Sequence, residues 1–151
     1  MKTLIDSVRI EGNLIDPQAA FFYGNTMADL AKWDSIANDY RFCSVIDKAP
    51  FFQLHLASLT MPKGQGKAVA LCVLAYRTLT ANNGLGALGT QMRAIADLTQ
   101  LIKNLAPHKW VLQGDMAFTP LFREPNFELT SGALASFAIV GSNSEFINCC
   151  D

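Results

Sequence analysis

Two long β-type runs joined by a short glycine-rich connection constrain this chain more than any other feature. Phe51 to Thr60 sets Phe52, Leu54, Leu56 and Ser58 on one face, the alternation of a half-buried strand. Lys67 to Leu79 is a near-continuous β run. Between them, Met61, Pro62, Lys63, Gly64, Gln65, Gly66 and Lys67 supply the glycine, proline and charge of a tight connection. The pattern predicts an antiparallel hairpin with long arms.

Around this hairpin the chain divides by periodicity. Residues 1–38 read as mostly helical. Leu4, Ile5, Val8 and Ile15 recur at near-helical spacing, although Gly12 weakens the second half. Pro17 suits the first turn of a second segment, 18–33, marked by Phe21, Phe22, Met27, Leu30 and Trp33. Residues 40–79 form the β-hairpin region, which opens with a short run, Tyr40 to Ile46, and a turn at Asp47 to Pro50. After an Asn/Gly-rich loop at 80–90, the spacing predicts a helix over 91–105, carrying Met92, Ile95, Ala96, Leu98, Leu101, Ile102 and Leu105. Thr90 suits its N-cap, and Pro107 lies just past its end. Residues 109–140 read as a second β-hairpin region, Lys109 to Phe122 and Phe127 to Val140, and 141–151 as an irregular polar tail. Helices, hairpin, helix, hairpin predicts one α+β domain: a mainly antiparallel β-sheet with helices packed on one face.

Charge then bears on the surface. Half of the 151 residues are hydrophobic and 17% are charged, against about 25% in an average domain. So few charges leave a solitary particle poorly covered, and shielding by like subunits is the expected remedy, because obligate interfaces resemble a core cut in half. The net charge is −1 with no Lys/Arg cluster, which argues against DNA gripping as the main activity. Passive enclosure of DNA in a ring needs no such patch. Ala68 to Tyr76, the longest strongly apolar run, is far shorter than the roughly 20 residues of a membrane span. Lys2, Asp6, Arg9 and Glu11 break the start, so no signal-peptide core is read there and a soluble protein made in a cytoplasm is expected.

The motifs that could carry chemistry are weak. Gly84, Gly86 and Gly89 form a G-x-G-x-x-G between a predicted strand and a predicted helix, the loop that brings backbone close to a dinucleotide pyrophosphate. Against a nucleotide-binding enzyme, four residues separate Leu79 from Gly84, and Ile102 to Trp110 holds no ribose-binding carboxylate. Lys63 to Lys67 lacks the first glycine and the Ser/Thr of a phosphate loop. His55 lies opposite the apolar face of its strand, and His108 falls in a connection. Cys43 and Cys72 read as buried thiols, while Cys149 and Cys150 make no metal spacing. No catalytic, cofactor or metal residues are assigned.

Four pieces carry a resemblance: Phe22-Tyr-Gly24 with Met27-Ala-Asp-Leu30; Tyr40 to Ile46; Met92 to Leu105; and Phe118 to Phe122 with Leu129 to Ala133 and Phe137 to Ile139. With its elements in this order, the chain resembles the tail terminator (tail-completion) proteins of long-tailed bacteriophages. Relatives often carry Tyr-Pro entering the first strand, where this chain has Tyr40-Arg41. The resemblance implies a virion protein assembled in the host bacterial cytoplasm, a homo-oligomeric ring, commonly a hexamer. Such a ring caps the tail tube protein and joins it to the head–tail connector protein, with DNA passing through unread. Connector, stopper and tail-tube-related subunits are the neighbouring alternatives. Two loops are then candidates for interfaces: Met61 to Lys67, and the stretch holding Asn82, Asn83, Gly84, Leu85 and Gly86.

Overall fold

The computed structural model describes residues 2–23, 50–79, 86–121 and 130–142. The order of elements is α1 (Lys2–Ile15), β1 (Ala20–Tyr23), β2 (Phe51–Thr60), β3 (Lys67–Leu79), α2 (Ala87–Lys103), a 3-10 turn (Ala106–His108), β4 (Val111–Leu121) and β5 (Thr130–Ser142). The described strands form one sheet in the order β1-β2-β3-β5-β4. β1 runs parallel to β2, and every other neighbouring pair is antiparallel. This is the expected α+β architecture. The two predicted hairpins, β2–β3 and β4–β5, meet through β3 and β5, which pair along their full length from Lys67↔Ser142 to Leu79↔Thr130.

Strand alternation creates the core. Leu54 stands opposite Leu74, which stands opposite Ala135; Phe52, Tyr76 and Ala133 make the next row, and Cys72 with Phe137 another. Leu4 and Val8 of α1, and Ala94, Leu98, Leu101 and Ile102 of α2, close over these rows in a single buried cluster. Both helices therefore cover the same face of the sheet. Trp110 is buried in that cluster at the entry to β4.

Gly12 has a packing role. A Cβ there would stand 3.2 Å from the Phe52 ring, so the missing side chain lets α1 settle on that ring. Phe52 in turn stacks on Tyr76, with ring centroids 4.2 Å apart. Thus the residue that weakens helix propensity is the one that permits the close approach.

Several expectations are corrected. Ala20–Tyr23 is a strand, not part of a helix, because it pairs from Ala20↔Phe51 to Tyr23↔Leu54; the rest of the predicted segment, the run 40–46 and the turn up to 49 lie outside the described residues. A bulge between Leu56 and Ser58 shifts the register, so Leu59, not Ser58, joins the core side. Helix α2 begins at Ala87, and its N-cap is Gly86, not Thr90. The Thr90 backbone N–H and hydroxyl both donate to the Gly86 carbonyl at 3.4 Å, which makes Thr90 a first-turn residue. Gly141 and Ser142, assigned to the tail, extend β5 along Ala68 and Lys67. Arg123 to Asn126 and residues 143–151 lie outside the described residues.

Candidate functional site: exposed apolar surfaces

The face of the sheet turned away from the helices differs at its two ends. Near β1 it is buried: Phe51, Gln53 and Arg77 are all covered. Toward the hairpin tip, Val69, Leu71 and Val73 of β3 lie across from Val140, Ala138 and Ser136 of β5. Val111 of β4 stands opposite Val140. Leu71 is 47% exposed and Val111 is 57% exposed. Leu71 and Val111 thus stand open to water among small and polar neighbours that include Ser58, Gln113 and Ser136, with Lys67 at the end of the same strand face.

The tip Met61 to Lys67 adjoins this surface, because Thr60 and Val69 form the last paired row beside it. Gly64 (φ 76°) and Gly66 (φ 63°) take left-handed backbone there with nothing crowding them, and Met61 is exposed. The second candidate loop lies elsewhere. Asn82, Asn83, Gly84 and Leu85 are outside the described residues, and Gly86 (φ 54°) caps α2. It follows the far end of β3, whose 13 residues span roughly 40 Å. Gly86 and the hairpin tip stand toward opposite ends of the sheet, because Gln91 in the first turns of α2 meets Leu121 beside Gly132 and Arg77.

Titratable groups on the covered side are arranged as ties. The Tyr76 hydroxyl donates to Asp16 Oδ2 at 2.6 Å, fastening the end of α1 to β3. Burial, then the bond and charge of Asp16, push the Tyr76 hydroxyl well above the ordinary tyrosine range. Burial also raises Asp97, against the lowering effect of Arg93. Glu11 and His108 meet at 2.8 Å and join α1 to the 3-10 turn. The Cys72 thiol is pushed up to about 12 by burial, the opposite of what a reactive cysteine needs. Burial favours the protonated form of both groups.

Among the described residues no set of three His, Cys, Asp or Glu side chains gathers as a metal site. None of the described helices is long and apolar enough to cross a membrane. His55 sits opposite Val73 on the face turned away from α1 and α2, as its parity predicted. As for the glycine motif, β3 has antiparallel neighbours on both sides, whereas the dinucleotide unit needs parallel strands joined through the helix.

The residues that sequence reasoning missed are apolar side chains on helix exteriors. Met92 was grouped with the buried stripe of α2, yet it is 62% exposed. Buried Ala94, Leu98, Leu101 and Ile102 define a stripe that Met92 and Leu88 lie outside. On α1, Ile10 and Leu14 are likewise exposed. A helical wheel centred on the most apolar arc separates them only once that arc is known.

No protein-family model matches this sequence, and no curated protein matches it either.

Proposed function

We propose that this chain is a ring-forming structural subunit of a phage neck, of the tail-terminator kind, acting by self-association and not by catalysis. The observation that carries the reading is the pair of about half-exposed aliphatic side chains, Leu71 and Val111, on the open end of the sheet face. Exposed apolar ground of this sort marks interaction surfaces. A chain with 17% charged residues gains most by covering it with copies of itself.

The loop positions support the same reading. A ring that caps a tube on one side and meets a connector on the other needs contact segments at both ends of each subunit. The hairpin tip and the Gly86 turn stand at opposite ends of β3. With a net charge of −1, the lumen of such a ring would let DNA pass without gripping it. Connector or stopper rings of the same neck use the same surface logic, and the position of the protein in purified virions separates these roles.

The direct test is native mass spectrometry of the full chain, followed by electron microscopy of the assembly. The expected result is a closed oligomer of one copy number with an axial hole wide enough for duplex DNA. A stable monomer at high concentration, with no ring in the images, refutes the proposal.

A further inference from the structure

We draw no further inference here: the strongest candidate, the apolar groove between α1 and β1 lined by Ile10, Leu14, Phe21 and Phe52, is an unpartnered face, and nothing in the structure shows what covers it.

Discussion

Replacing Gly132 with alanine should be among the most damaging single changes available to this fold. Gly132 lies in β5 opposite Arg77, within the central β3–β5 pair. A Cβ there would overlap the Tyr76 carbonyl oxygen and would stand 3.0 Å from its carbonyl carbon and 3.2 Å from Arg77 Cα. Carbon atoms in contact prefer about 3.5–4.0 Å, so one strand must retreat by more than 1 Å at that row, by a rough reckoning on the same spacing. Tyr76 cannot move to make room, because its ring stacks on Phe52 and its hydroxyl is tied to Asp16. Overpacking alone costs about 1–3 kcal/mol. Stretching the adjacent ladder bonds past hydrogen-bonding distance adds about 1 kcal/mol each. The sum is about 3 kcal/mol, against a typical domain stability of roughly 5–15 kcal/mol. With a urea m-value near 2 kcal/mol/M, the midpoint should fall by about 1.5 M. The assay is urea unfolding followed by far-UV dichroism at one protein concentration, since the proposed self-association would make stability concentration-dependent. A midpoint within about 0.25 M of wild type (about 0.5 kcal/mol) would refute the reasoning and imply that β5 can slide away from β3 at little cost.

Tyr76→Phe removes the donor to Asp16 while keeping the stacked ring, and should cost about 1–2 kcal/mol in the same urea titration. Asp97→Asn tests the raised carboxyl. A group whose folded pKa exceeds its unfolded value holds its proton more tightly when folded. The penalty is therefore present above the folded pKa and absent below the unfolded one. The variant should be as stable as wild type or more so at neutral pH, with the difference vanishing as pH falls through the aspartate range; a loss at pH 7 contradicts this. Cys72, with its thiol pushed up to about 12 and buried in the core, should resist iodoacetamide at pH 8 in the native protein and react in urea, as peptide mass mapping would record. Native-state alkylation at that position would mean that the covered face opens readily.

The arms of the first hairpin were legible because a half-buried strand leaves a period of two in its side chains, and β2 and β3 occupy the expected spans. The stretch Ala20–Tyr23 was not, because four apolar residues carry no period, and the strand exists only through its pairing with Phe51–Leu54. The bulge at Ala57 was hidden for a related reason: one extra residue in a ladder is a relation between two strands. Thr90 had the chemistry of an N-cap, yet Gly86 at φ 54° starts the helix a turn earlier, and Thr90 spends its hydroxyl inside the first turn.

For the candidate surfaces the division is sharper. The sequence by itself determined that charged residues are few, and it located a glycine-bearing hairpin tip, since both follow from residue identity and local order. Only the tertiary structure decided which apolar residues stay outside. Leu71 and Leu74 sit in the same strand three residues apart, one 47% exposed and the other fully buried, because the two helices cover a single face of the sheet. Ile10, Leu14, Leu88 and Met92 are exposed because each lies outside the arc of its helix that packs on the sheet. Side-chain hydrophobicity is a property of the residue, but whether that residue meets a helix, a strand or water depends on contacts between segments far apart in the chain.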